Sequence, residues 1–460
     1  MINFLKNEDE PTLSHFIVSL RDQADVEVIT PSDTDYDEAR LVYNRMHNMF
    51  PALIIRTLNV DILRAVMAYA FRHHLILAIR GGGHHIGGFG TCDGGIVLDF
   101  SPFKTIQIDT KTNTVTVEPG VCLEDIDEAL STKGFIVPTG TVSQTGIAGL
   151  TLGGGIGWLT GRYGLTCDQL VGADVLLADG QLVQAEDASH HPLLWGLRGG
   201  GGNFGIVLKF KYKLNPLPET ICGMGHVEWD QVEPVLNQLM VYLQTCPDSM
   251  TIAPIFTKDT GGRLNLRIDF CCADGTAEEV QRLLSLSTTI QWQEVRPWRF
   301  STWQQATDQV FLPPMRGYWK AAYLKNLSSE TIHQLCQAFQ HSPAPRCAIL
   351  IEHLHGQFHA FDQSTSAFPL RHCTIGILFA ARWEDQEEDE ANVQWVRESF
   401  HAIDPESTSG AYLNYTFAED ERAVHTLLNS TKTKITDVKS FYDPNNHFNR
   451  NHNVKPTRGS

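Results

Sequence analysis

Arg80-Gly81-Gly82-Gly83-His84-His85-Ile86-Gly87-Gly88 follows directly on the apolar run Leu75-Ile76-Leu77-Ala78-Ile79. Five of its nine residues are glycine, with a histidine at the centre. Glycine lets backbone come close to a flat or charged ligand and reach positive φ without a steric penalty. A neutral imidazole on such a loop can act as nucleophile, metal ligand or general base. The stretch therefore reads as a cofactor cradle holding one reactive side chain.

Two further clusters follow: Thr145-Gly146-Ile147-Ala148-Gly149-Leu150-Thr151-Leu152-Gly153-Gly154-Gly155-Ile156-Gly157, and Arg198-Gly199-Gly200-Gly201-Gly202-Asn203-Phe204-Gly205-Ile206-Val207. One glycine loop is commonly just a turn. Three, each joined to a strand, suggest backbone wrapped around one extended ligand. N–H groups on such loops bind phosphates, which a dinucleotide supplies. Gly200, Gly202 and Gly205 spell a formal GxGxxG. A Rossmann fingerprint needs a helix after it, and here a strand pattern follows, so that reading is set aside. No P-loop, GxSxG or HExxH motif is present.

The bulk properties narrow the partners. A chain of 460 residues suggests two or three domains. A net charge of −17 repels phosphate backbones and argues against nucleic acid. The first residues, Met1 to Glu10, lack the apolar core of a secretory signal. No run approaches the roughly 18 apolar residues of a membrane helix. Ten scattered cysteines without a CxxC fit reduced thiols and a cytoplasmic location.

Along the first half, a short helix is expected over Asp37 to Asn48 and a strand over Leu53 to Ile55. Asn59 should cap a helix whose Val60, Leu63, Met67 and Ala70 face a core. Ile106 to Val117 reads as a hairpin, Leu123 to Lys133 as a helix, and Ala173 to Ala178 as a strand. From about Pro216 the glycine clusters vanish. Strands then alternate with amphipathic helices over Glu233 to Gln244, Ala277 to Leu286 and Ser329 to Phe339. The doublets His73-His74, His84-His85 and His190-His191 lack metal-ligand spacing. His353 and His355 share one strand face, a better metal geometry, but alone they read as a polar face, and no metal is expected.

The ordered set RGGGH at 80–84, GLTLGGGIG at 149–157 and RGGGGNFGIV at 198–207 resembles the FAD-linked oxidases of the berberine bridge enzyme group. That group belongs to the vanillyl-alcohol oxidase / p-cresol methylhydroxylase (PCMH) flavoprotein superfamily. Tyr412-Leu413-Asn414-Tyr415 and Tyr442 to Phe448 are similar to its closing motifs. The resemblance implies an α+β, two-domain PCMH-type FAD-binding fold, with a substrate domain built on an antiparallel sheet with helices. It divides the chain into a flavin domain over 1–215, a substrate domain over 216–415 and a segment returning to the flavin domain over 416–460. The flavin-binding positions it implies are Arg80, Gly81, Gly82, Gly83, His84, His85 and Gly88 in the first cluster. In the second they are Thr145, Gly146, Gly149, Gly153, Gly154, Gly155 and Gly157. Gly205, Ile206, Val207, Asn414, Asn446 and Asn451 complete the set.

By the same resemblance, FAD is bonded to the histidine of RGGGH, here His84. Some relatives carry a second link through a cysteine in the loop that here runs Thr141 to Gly149, which holds none, so attachment through His84 only is expected. The family's base position falls near Leu378, which is apolar. Tyr412 and Tyr415 remain as catalytic candidates, with Lys320 (or Arg371 or His372) as a cation to lower a tyrosine's pKa. Glu352 is a weaker candidate. The implied reaction takes a hydride from a small organic alcohol, phenol or amine onto the flavin, with reoxidation by molecular oxygen. A carbohydrate oxidase of the same family is the alternative; a catalytically inactive flavin-binding scaffold is the alternative of another class.

Overall fold

Residues 12–186, 190–311, 314–403, 410–431 and 434–457 are described by the computed structural model. The first sheet contains β1 (Glu27–Ile29), β2 (Leu53–Arg56), β3 (Leu77–Arg80) and β4 (Ile96–Asp99), in the order β1-β2-β4-β3. β4 runs parallel to both β2 and β3. Parallel strands need cover on both faces, and the nearly continuous apolar runs here supply it. The crossover from β2 to β3 is the Val60–Arg72 helix, capped by the Asn59 side chain on the N–H groups of Asp61 and Ile62. Leu63, Met67 and Ala70 are buried as their spacing predicts.

The next strands are β5 (Ile106–Asp109), β6 (Thr114–Val117), β7 (Phe135–Ile136), β8 (Leu170–Leu176), β9 (Leu182–Glu186), β10 (Ile206–Lys213) and β11 (Asn215–Pro216). An antiparallel sheet orders five of them β5-β6-β10-β8-β9, while β7 pairs with β11. The expected hairpin is β5–β6, and the expected helix is Leu123–Ser131. β10 follows the third glycine cluster directly, the strand that rules out a Rossmann turn. The Arg422–Thr431 and Lys434–Tyr442 helices share one apolar core with β6, β8 and β10.

The third sheet is wholly antiparallel: β12 (Thr220–Glu228), β13 (Met250–Lys258), β14 (Leu264–Ala273), β15 (Gln291–Trp298), β16 (Arg316–Leu324), β17 (Ala348–His353) and β18 (Ile375–Trp383). Its order is β15-β12-β14-β13-β17-β18-β16. The helices Val232–Leu243, Ser329–Gln340 and Asp389–Ala402 add their apolar faces to the same core. Among the described residues no helix is long and apolar enough to cross a membrane.

One expected helix is cut short. Only Tyr36–Ala39 is helical, and residues 41–48 are irregular. The cause is Asn44, whose side chain is fully buried. Its amide nitrogen donates to the carbonyls of Ile86 (2.7 Å) and Gly317 (2.9 Å), and its oxygen accepts from the Gly317 N–H. A buried amide spent on neighbouring backbone competes with helix continuation. The result ties this segment to both the first glycine loop and β16.

Lys439 joins the C-terminal helix to the third glycine cluster. Its ammonium donates to the Asn203 carbonyl at 2.9 Å, the Phe448 carbonyl at 2.9 Å and the Asp443 carboxylate at 2.5 Å. Both charged side chains are fully buried. Lys439→Met would strand the Asp443 charge. Denaturant unfolding is expected to show a loss of about 3–5 kcal/mol.

Candidate functional site

β3 delivers the first glycine loop, and its last residue fixes where the loop starts. The Arg80 guanidinium is buried against Asp99 on β4 and donates to the carbonyls of Leu41 and Ala39. Arg56 on β2 holds the same carboxylate. Burial opposes the Asp99 charge, but the two cations keep its pKa below the ordinary value. Arg80 therefore anchors the loop through side-chain bonds to protein.

From there the loop crosses the second cluster at van der Waals distance. A Cβ on Gly146 would lie 2.4 Å from the Gly82 nitrogen, and a Cβ on Gly82 would lie 2.6 Å from the Gly146 nitrogen. Only paired glycines permit that crossing. The N–H groups of Gly81, Gly82, Gly83 and Gly146 meet no acceptor among the described residues. They line one cavity with Gly149, Gly153, Gly201, Gly202 and Gly205, so all three clusters meet there. A Cβ on Gly149 would meet nothing within 4 Å. Free N–H groups and open space above small residues suit a dinucleotide such as FAD. The Asn451 amide donates to the Gly202 carbonyl, and its Oδ1 is buried without a partner among the described residues.

The histidine doublet divides its tasks. The His85 Nδ1 accepts from the Gly87 N–H at 3.0 Å, so its Nε2 carries the proton and donates to the Leu413 carbonyl at 2.9 Å. Both of its nitrogens are committed. His84 stacks on Tyr43 with ring centroids 3.8 Å apart, and its Nε2 is buried without a partner among the described residues. Burial, reinforced by the positive charge of Arg382, pulls the His84 pKa down to about 3. Its imidazole is neutral at physiological pH, the nucleophilic form.

The antiparallel sheet covers the other side. Trp319 of β16 lines the cavity, with its ring 6.4 Å from Tyr43 and 6.1 Å from Tyr415. On β17, Glu352 pairs with Gly376 of β18, and Tyr323 of β16 pairs with Gly376 from the other side. A Cβ at 376 would lie 2.9 Å from Glu352 Oε2 and 3.0 Å from Tyr323 Cε1. The missing side chain leaves a slot for the carboxyl. The Tyr415 hydroxyl donates to Glu352 Oε1 at 3.0 Å, while Glu352 Oε2 is buried without a partner among the described residues. Burial raises the Glu352 pKa to about 7, only partly offset by that bond. The Tyr415 phenol is pushed well up by burial and by the neighbouring carboxylate.

Tyr412 has different company. Its hydroxyl oxygen accepts from the Gly155 N–H at 2.8 Å and the Asn414 amide at 2.9 Å. Burial raises its pKa too. Both tyrosines and Asn414 line the cavity, as do Arg80, Gly81, Gly82, Gly83, His84, His85, Thr145, Gly146, Gly149, Gly153, Gly205, Val207 and Asn451.

Several expected residues lie elsewhere. Lys320 alternates with Trp319, so it faces the helical side of β16. There it pairs with Asp420 at 3.0 Å and sits over the Phe400 ring. It is not the cation beside either tyrosine. Gly88 packs on His47; Gly154 and Gly157 pack on Phe368 and the Thr139 carbonyl; Gly155 serves Tyr412. Ile206 points into the first-sheet core, opposite to Val207. Asn446 occupies a left-handed turn (φ 55°) whose N–H binds the Asp443 carbonyl, away from the cavity. Leu378 is buried and apolar as read, and the neighbouring strand supplies the carboxyl instead. Phe448 ends a closing motif, whereas Tyr43, Trp319, Arg450 and His452 lie in none. They reach the site from an irregular segment, a strand and the chain's end.

Residues 51–186 match the FAD binding domain family. An FAD-linked oxidoreductase of Dictyostelium discoideum is 28% identical over 427 residues, covering 88% of this chain and 89% of the relative. The (R)-6-hydroxynicotine oxidase of Paenarthrobacter nicotinovorans is 27% identical over 449 residues, covering 94% and 96%. The solved glucooligosaccharide oxidase of Acremonium strictum, described with a 6-S-cysteinyl, 8α-N1-histidyl FAD, shares the fold. Its TM-score is 0.83, with 22% identity and coverage of 94% of this chain and 98% of that one.

Two outcomes follow from the geometry. Gly146→Ala should lower both the unfolding midpoint and the flavin content of purified protein, read from visible absorbance. Gly149→Ala should keep the midpoint while lowering flavin content, because its Cβ meets only cavity. Asp420 supplies a pH dependence. Burial opposes its charge, but Arg422 and Lys320 hold its pKa at about 2, below the ordinary 3.8. A depressed carboxylate stabilises the fold above its unfolded pKa, here by about 2 kcal/mol. The unfolding gap between wild type and Asp420→Asn should be open above about pH 4 and close as pH falls through about 2.

Proposed function

We propose, from the premise that this chain belongs to the berberine-bridge-enzyme-like FAD-linked oxidoreductases of the PCMH-type flavoprotein superfamily, that it holds FAD through His84 alone and oxidises a small organic alcohol, phenol or amine. The observation that carries the chemistry is the hydrogen bond from Tyr415, in the aromatic wall of the cavity, to the buried Glu352 behind it. The flavin, when bound, supplies the hydride acceptor and passes its electrons to oxygen.

The chain supplies the rest. His84 has a neutral ring whose Nε2 meets no partner among the described residues, whereas His85 is bound at both nitrogens. The loop Thr141 to Gly149 holds no cysteine for a second link. The Tyr415 oxygen takes the substrate's O–H or N–H proton as its own proton passes to Glu352 Oε1. One proton thus ends on a carboxylate that no cation among the described residues holds. Tyr412, already accepting two hydrogen bonds, orients Asn414 and the Gly155 turn. The rings of Tyr43, Trp319 and Tyr415 favour a planar, uncharged substrate. The hydroxynicotine oxidase, similar along nearly its whole length, supports an aromatic, nitrogen-bearing compound as the first to try.

His84→Ala should leave FAD extractable by acid precipitation; colour retained on the denatured chain would refute the link. In stopped flow without oxygen, Glu352→Gln and Tyr415→Phe should each slow flavin reduction by about 10²-fold or more, and Tyr412→Phe far less. Wild-type rates in both would remove the proton relay. Anaerobic mixing with a panel of amines, alcohols, phenols and sugars identifies the substrate class by bleaching. Bleaching by sugars alone would make the protein a carbohydrate oxidase. No bleaching by any class would make it a scaffold.

A further inference from the structure

On the other side of β17 from Glu352 stands a cluster that the flavin cavity does not use. His353 ends the strand and His355 follows two residues later. Their rings stack in parallel, 4.1 Å apart at 7°, and each residue is only 8% exposed. The sequence offered these two as a strand-face pair without further ligands. The fold adds a third. Cys246, on the loop after the Val232–Leu243 helix, brings its Sγ to them, and one ligand atom from each residue lies within 4.8 Å of the other two.

The nitrogens are disposed as ligands. His355 Nδ1 lies 3.2 Å from the His353 carbonyl, which can only accept, so Nδ1 carries the proton. His355 Nε2 is then the lone-pair nitrogen; it is buried beside the Pro247 carbonyl and meets no partner at hydrogen-bond geometry among the described residues. His353 Nδ1 is likewise buried without a partner among the described residues. A ring whose N–H is held by a carbonyl while its other nitrogen is free is the arrangement of a metal-bound histidine. Two orphaned buried imidazole nitrogens are costly unless something fills the space between them.

A fourth group lies close. Asp248 packs over Gly356, where a Cβ would come within 2.7 Å of its carboxyl carbon, and its charge acts on His355. Gly356 adopts φ 58°, so glycine admits both the turn and the carboxylate. Gly161, from the flavin-domain side, lies against the His355 ring.

We propose that Cys246, His353 and His355 bind a zinc-type divalent cation, with Asp248 or water as the fourth ligand. One sulfur and two imidazoles form a borderline-soft set that suits Zn²⁺ over Mg²⁺ or Ca²⁺. Bond lengths of about 2.0–2.3 Å set tetrahedral ligand atoms roughly 3.5 Å apart, within reach of side-chain rotation. Binding makes Zn–S and Zn–N bonds and releases the Cys246 thiol proton to solvent, with no redox change. The ion would staple the end of β17 to the Cys246 loop. The inference is independent of the flavin reaction.

The flavin-loaded, full-length protein, stripped with a chelator, should take up one Zn²⁺ per chain in competition with a chromophoric chelator. Cys246→Ser with His355→Gln should weaken that uptake by about tenfold or more, leaving flavin absorbance unchanged. Co²⁺ added to the unaltered protein should give a thiolate-to-metal charge-transfer band that Cys246→Ser lacks. Equal Zn²⁺ affinity in wild type and the double variant, or a Co²⁺ spectrum without the thiolate band, would overturn the site.

Discussion

The molecule turns on a contact between two backbones. Gly82 and Gly146 meet where neither can carry a side chain, and that crossing brings two distant loops onto one surface. Each loop is anchored elsewhere. Arg80 is held between Asp99 and the carbonyls of Leu41 and Ala39, while the Thr145 and Val121 carbonyls pair the second loop with the chain leading into the Leu123–Ser131 helix. The third cluster is fixed by Lys439 and Asn451. Glycine gives the approach, and ion pairs give the position.

Opposite this surface, one sheet serves two purposes through simple alternation. Trp319, Tyr323 and Glu352 face the cavity side. Lys320 faces the helices with Asp420, and His353 turns away from Glu352 toward Cys246. Adjacent residues on one strand therefore belong to unrelated environments. The carboxyl that equips the site sits in a gap made by a glycine on the strand next to the sheet's edge.

This explains which parts were legible beforehand. Glycine clusters and a histidine sit together in sequence, so the cradle and His84 were readable without coordinates. The capped helix at Asn59 and the β5–β6 hairpin were local too. Cross-strand register is not local. Nothing near Leu378 announces that Glu352 pairs with Gly376, one strand away. The same limit turned Lys320 toward the wrong neighbour, because a strand's faces are clear from sequence but their partners are not. Tyr43 and Asn44 were hidden inside a stretch with helical spacing, whose buried amide binds two separate segments instead. The glycines beyond the cavity wall, such as Gly154 and Gly157, serve packing that looks the same in sequence as cofactor contact.

The closure by the C-terminal segment has a bearing on how the protein is made. Phe448, Arg450, Asn451 and His452 line the cavity, and Arg450 reaches back to the Thr91 carbonyl. His452 bonds to Thr416 and the Leu413 carbonyl, the same carbonyl that fixes His85. During synthesis, the cradle around His84 emerges more than 350 residues before the wall that completes it. A chain cut before Lys439 would keep Gly82 and Gly146 at their crossing but lack the four residues that close the chamber.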